Sequence, residues 1–285
     1  MNALAAASPQ TISDVLAFHL HADVIGVVIA LAGGYELAIR RLAPHYAPRG
    51  EVVVTRRQRI AFHAGVMILL VVSSWPIHDI GDGSLFTFHM IEHMALGLMV
   101  PPLLLAGVPW WLLRLVVRPI LPAVRILTRP IVALVAFNAV LGLIHVPGVV
   151  DLMLRSEPAH FGLHVLVLAT GLMMWWPVIA PLPELAQLTP FLKMGYLFLQ
   201  SLVPTIPASF LTLGDNPLYK VYETLPRLWG LSAHSDQVIA GLVMKLGGGF
   251  LLWGFIGWVF FSWWADEQRY GAVDRATGGA ALGGR

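Results

Sequence analysis

"LFTFHMIEHMALGLMVPPLLLAG", residues 85–107, sets one carboxylate and two imidazoles in an otherwise apolar run. At ~1.5 Å of rise per residue, a helix over this stretch covers about 34 Å, enough to cross a ~30 Å hydrocarbon core. The pattern recurs along the chain. Apolar stretches at 23–40, 60–77, 85–107, 130–146, 160–180, 191–212 and 237–262 each approach or exceed the roughly 17–25 residues a spanning helix needs. Of 285 residues, 57% are hydrophobic and 12% charged, about half the charged share of an ordinary soluble domain, and mean hydropathy is +0.74. The sequence therefore reads as an all-α polytopic membrane protein with seven transmembrane helices. Residues 1–22 form an extracytoplasmic N-terminal segment, 23–264 the transmembrane domain, and 265–285 a flexible Gly/Ala-rich tail.

Charge sets the orientation. Fourteen basic residues fall in the first, third and fifth connections and the tail: six from Arg40 to Arg59, four from Arg114 to Arg129, then Lys193, Arg269, Arg275 and Arg285. The opposite side has Arg155, Lys220 and Arg227, and Lys245 lies within a span. Basic residues gather in cytoplasmic loops, so the N-terminus is expected outside and the C-terminus in the cytoplasm. The net charge of +2 and pI near 9.1 follow from this topology and give no sign of a nucleic-acid partner. The first twenty residues carry no basic n-region, so no cleaved signal peptide is expected. Segment 109–130, with Trp110, Trp111 and its arginines, reads as amphipathic and interfacial. Pro204 and Pro207 should kink the sixth span, and the turn-rich connection 213–236 reads as a structured outer cap.

Topology turns the eleven histidines into a map. His19, His21, His78, His89, His93, His145, His160, His164 and His234 fall on the outer side or in the outer half of a span. His45 and His63 lie toward the cytoplasm and read as structural. Counting from the outer ends at ~1.5 Å per residue, His89 lies about 6 Å deep, His93 about 12 Å, His164 about 8 Å and Met244 about 10 Å. His89/His93 and His160/His164 are both i, i+4 pairs, so each pair shares one helix face. Two such faces at similar depth can converge on one metal ion. Glu92 strengthens the reading, because a carboxylate at that depth costs on the order of ~2.5–3.5 kcal/mol and needs a partner.

With no cysteine, thiolate sites and disulfides are excluded, leaving imidazole, thioether and carboxylate donors. The expected ligand set is His78, His89, His93, His145, His160 and His164 with Glu92, Met94 and Met244. Asp79, Asp151 and Asp236 are expected to accept hydrogen bonds from the ligating imidazoles. Asp82 reads as a solvated loop end, and Asp236 could instead cap its own helix. Lys245 could turn outward or pair with Glu92. Histidine with methionine favours copper as Cu(I); imidazole with carboxylate suits zinc as well.

A hydrolase is the alternative. His89-Met-Ile-Glu92-His93 matches H-x-x-E-H, in which two histidines hold zinc and the glutamate activates water. Ser73, Ser74, His78 and Asp79 would also supply raw material for a seven-span zinc lipid amidase.

"FTFHMIEHMALGLMVPPLLLAGVP" (86–109), "HVPGVVD" (145–151), "HFGLHVLVLATGLMMWWPVIAP" (160–181) and "NPLYKVYETLPRLWGLSAHSDQVIAGLVM" (216–244) together resemble the integral-membrane CtaG family of caa-type cytochrome c oxidase assembly factors. The resemblance covers roughly residues 50–265. It implies a bacterial plasma-membrane protein that handles copper for a haem–copper oxidase, through His89, His93, His145, His160 and His164, with Asp236 as a matching polar position. An oxidase subunit and the lipid bilayer are the expected partners, with a second copy of the chain as a further candidate. Glu92 stands where the family commonly has Gln, and Lys245 where it commonly has Trp.

Overall fold

The computed structural model describes residues 11–282, apart from 180, 181, 183 and 186. Among these residues there is no strand. A short helix α1 (Ile12–Leu16), opened by a Thr11 capping box, precedes α2 (Ala22–Tyr46). α3 (Arg56–Val72) starts on a second capping box, Thr55 with Gln58, and runs through a break into α4 (Ile77–Gly83). The third span consists of α5 (Phe86–Met94), a π turn over Ala95–Met99, and α6 (Val100–Gly107). Pro101 and Pro102 sit in the first turn of α6, where a missing N–H is tolerated, so the span continues through them.

α7 (Trp110–Val117) and α8 (Leu121–Leu127) make the amphipathic segment. It buries Trp111, Leu112, Leu113 and Val117 and turns Arg114 outward, where its guanidinium stacks over Trp110 and pairs with Glu184. That pairing holds the Glu184 carboxyl below its usual range. α9 (Pro130–Ile144), α10 (Pro147–Arg155) and α11 (Glu157–Ile179) follow, then α12 (Pro190–Leu202) and α13 (Thr205–Leu213), separated at Pro204. The last span is α14 (Ala233–Leu242), a π turn over Val243–Gly247, and α15 (Gly248–Leu282), which continues as helix through 265–282, the stretch expected as a tail.

Among the described residues, six runs are long and apolar enough to cross a membrane: Ala22–Tyr46, Arg56–Gly83, Phe86–Gly107, Glu157–Ile179, Pro190–Leu213 and Ala233–Arg269. α9 makes a seventh if its 83° bend from Trp110–Leu127 is counted as one broken span. Among the described residues, each of the seven expected stretches is mostly helix. Phe86–Gly107 is the central element, with 72% of its apolar window buried against the others. Close approach comes from small residues, as helix pairs in lipid require. A Cβ on Gly171 would lie 2.8 Å from the Gly97 carbonyl oxygen, so glycine lets α11 lie directly on the third span. That contact brings the two histidine pairs face to face.

Candidate metal centre

α5 enters the bundle without a capping side chain of its own. Asp236, fully buried on α14, supplies the cap: its carboxylate accepts from Phe86 N at 2.8 Å and Thr87 N at 3.0 Å. These are the open amides of a helix N-terminus. Arg227 Nη2 balances the charge at 2.9 Å. Asp236 thus orients no imidazole, and the cap of α14 is Ser232, whose hydroxyl accepts from Ser235 N. The connection between α13 and α14 also clamps the turn from α4 to α5. Arg227 Nη1 donates to Ser84 O at 2.6 Å, and Tyr222 Oη to Gly81 O at 2.9 Å. Burial pushes the Tyr222 phenol well above its usual range, so it stays a donor. Gly81 is required here, since a Cβ would stand 2.8 Å from His89 N.

The clamp fixes Asp82 over the two histidine pairs. Its Oδ1 lies 3.1 Å from His89 Nδ1, its Oδ2 2.9 Å from His160 Nδ1 and 3.6 Å from His78 Nε2. Asp82, read as a solvated end, is therefore a hub of the cluster; its i, i+4 spacing from His78 was the signal. Glu92, 0% exposed, has Oε2 2.9 Å from His78 Nδ1, while Oε1 lies 3.3 Å from His164 Nδ1 without forming a hydrogen bond. Asp82 faces Nδ1 of His89 and His160, which places the ring proton there and leaves Nε2 as their lone-pair nitrogen, while His93 and His164 turn Nε2 toward the same point.

Those Nε2 atoms converge. His164 Nε2 is 3.0 Å from His93 Nε2 and 3.0 Å from His160 Nε2. With its proton on Nδ1 toward Asp82, His160 brings a lone pair to this meeting point. A tetrahedral ion with ~2.0–2.1 Å bonds to nitrogen spaces its ligands by about 3.3 Å, close to this arrangement. Ligand atoms of His89, His93 and His160 lie within 4.8 Å of one another, as do those of His78, His160 and His164. The buried, unbonded Oε1 of Glu92 adds negative charge beside the His164 ring. The donor set therefore fits a metal cation, with Glu92 facing imidazoles in place of the direct ligation expected for it.

The remaining expected residues separate into other places. Asp79 accepts from His19 Nδ1 and His21 Nε2, each at 2.9 Å, at the rim of a crevice of about 590 Å³ that His78, Asp82, His160 and His164 also line. Asp151, half-buried on α10, pairs with none of the imidazoles among the described residues. Lys245 is exposed and does not reach Glu92. Met94, Met244 and His145 line a separate cavity of about 40 Å³, which touches the cluster only at His93. His63 pairs with Glu36 at 3.0 Å, away from the site.

Fold and site together define a polytopic helical membrane protein that buries a carboxylate-oriented imidazole cluster beneath a crevice at one end of its bundle. The chain belongs to the cytochrome c oxidase caa3 assembly factor family (Caa3_CtaG), whose model matches residues 33–266. Two uncharacterized proteins, from Mycobacterium bovis and Mycobacterium tuberculosis, are each 26% identical to it over 259 residues. The match covers 82% of this chain and 37% of each relative, so the chain spans little more than a third of their length. No solved structure matches.

Proposed function

We propose that the protein binds copper at the His78/His89/His93/His160/His164 cluster and passes it to a subunit of a haem–copper cytochrome c oxidase during assembly. The carrying observation is the convergence of Nε2 atoms from α5 and α11, with Asp82 and Glu92 against the Nδ1 atoms of four of the rings. Family membership supplies the oxidase as the client. Charge asymmetry supports a reading in which the crevice opens on the outer face of a bacterial plasma membrane, with the C-terminus inside. An acceptor entering the crevice meets His78, His160 and His164 first and takes the ion by ligand exchange. The role proposed is that of an assembly factor and not an enzyme.

Zinc fits the same nitrogens, and the oxidase context favours copper. Hydrolysis gains no support from this geometry: Glu92 is fully buried against His78 and His164, where an H-x-x-E-H base must face a water. The test is copper content of the purified protein beside His89→Ala and His164→Ala. About one cluster-bound equivalent should be lost in each variant, and equal content in all three rejects the reading. A deletion strain should keep oxidase polypeptide while losing oxidase activity.

A further inference from the structure

We infer that the small cavity beneath the cluster is a second copper seat, specific for Cu(I) and distinct from the imidazole–carboxylate cluster; the inference rests on the copper reading above. Its wall carries five soft or borderline donors, His93, His145, Met90, Met94 and Met244, among apolar side chains. His145 is 8% exposed. Its Nδ1 lies 2.7 Å from the Leu141 carbonyl oxygen, so that nitrogen carries the proton and donates. Nε2 is then a lone-pair nitrogen, buried and without a hydrogen-bond partner. A carbonyl on Nδ1 is one of the usual ways proteins fix an imidazole for metal ligation through Nε2.

The backbone makes room for the thioethers. One π turn, Ala95–Met99, begins directly after Met94, and the other, Val243–Gly247, contains Met244. Such turns interrupt helices mainly where function requires a shifted register. Gly248 follows, and a Cβ there would stand 2.7 Å from Met94 Cε. Glycine at this position leaves the methionine its place at the wall.

Charge selects the ion. Among the described residues the cavity wall has no carboxylate, and it carries Lys245, so nothing there would balance a divalent cation. Thioether and neutral imidazole donors select Cu(I). His93 lies on both sites: its Nε2 is 3.0 Å from His164 Nε2, and its ring lines the cavity. A cuprous ion can therefore move between seats by exchanging ligands around His93, with no change of oxidation state and no net bond to other atoms.

The experiment is anaerobic Cu(I) titration of the full-length protein in detergent against a chromophoric chelator, with copper-edge X-ray absorption on the same samples. The wild type should bind two equivalents, one with sulfur neighbours. Met90→Leu/Met94→Leu/Met244→Leu, nearly isosteric and so expected to fold, should bind one, with the sulfur signal gone. His145→Gln should weaken the sulfur-ligated equivalent by at least tenfold, and His89→Ala/His164→Ala should retain it. One equivalent in the wild type, unchanged in number and spectrum by the methionine substitutions, overturns the second seat and leaves the first standing. No bound copper in any sample overturns both.

Discussion

Asp82 Oδ2 stands 2.9 Å from Nδ1 of His160, joining the short helix α4 to the distant span α11 through one carboxylate. Its other oxygen holds His89. Asp82 therefore sets the ring angle on both sides of the cluster without needing to touch the ion. Asp82→Asn keeps the volume and loses the charge, and its amide presents a donor to one of the two Nδ1–H groups. Losses of about 10–100-fold in metal affinity follow when such an orienting partner is removed. A competition titration should show that range for Asp82→Asn and no change for Asp151→Asn, whose carboxylate is paired with none of the rings among the described residues.

Glu92→Gln tests ring orientation more directly. The Gln carbonyl oxygen can still accept from His78 Nδ1, but the amide nitrogen then faces His164 Nδ1 where Oε1 now lies at 3.3 Å. A donor at that position favours the His164 tautomer with the proton on Nε2. That nitrogen then cannot bind copper. The substitution leaves no stranded charge, so the fold should survive. Because the family commonly carries Gln here, we expect the cluster to keep its copper equivalent but to hold it more weakly, with the melting temperature shifted only a few degrees and 15N-histidine spectra reporting the tautomer change. Unchanged copper affinity with an unchanged His164 signal would refute the assignment of roles.

How much of this site the residues announce depends on the range of the interaction. Helical periodicity alone places His89 with His93 and His160 with His164, and both pairs meet as their spacing requires. Met94 follows His93 by one residue, a rotation of about 100°. Counting depth therefore put it in the cluster, while the turn of the helix puts it on the neighbouring cavity. Asp82 lies in Gly81-Asp82-Gly83, which reads as loop; only the clamp by Tyr222 and Arg227 makes it a fixed point. The Asp236 cap joins residues on two different spans, and no local pattern announces such a pairing. The seven apolar stretches, by contrast, were legible from length and composition, since lipid leaves a chain few other structures.

Gly81 should be intolerant of any side chain. A Cβ at 2.8 Å from His89 N must push α4 away from α5, and with it Asp82. Overpacking of this kind costs about 1–3 kcal/mol. Gly81→Ala should lower the melting temperature in detergent and reduce copper affinity together. Gly148→Ala is the control, with nothing within 4 Å of the added carbon. Equal behaviour of the two variants would show that the close approach of α4 to α5 does not govern the site.

Asp236→Ala separates holding the fold from holding the ion. The substitution uncovers two amides at the start of α5 and strands Arg227, whose side chain is only 19% exposed. Removing one partner of a buried ion pair costs about 3–5 kcal/mol, and loss of a helix cap about 1 kcal/mol more. Much of the protein should therefore be lost to misfolding, read as a reduced monodisperse peak after solubilisation. The fraction that folds should bind copper with unchanged stoichiometry, because among the described residues Asp236 pairs with none of the imidazoles. Arg227→Met, which removes the cation but leaves the cap, should fold better than Asp236→Ala yet worse than wild type, since the Asp236 charge then rests on the α5 amides and the Thr87 hydroxyl alone. If well-folded Asp236→Ala protein lost its copper instead, the carboxylate would belong to the metal centre after all, and the division of labour between Asp82 and Asp236 drawn from the geometry would be wrong.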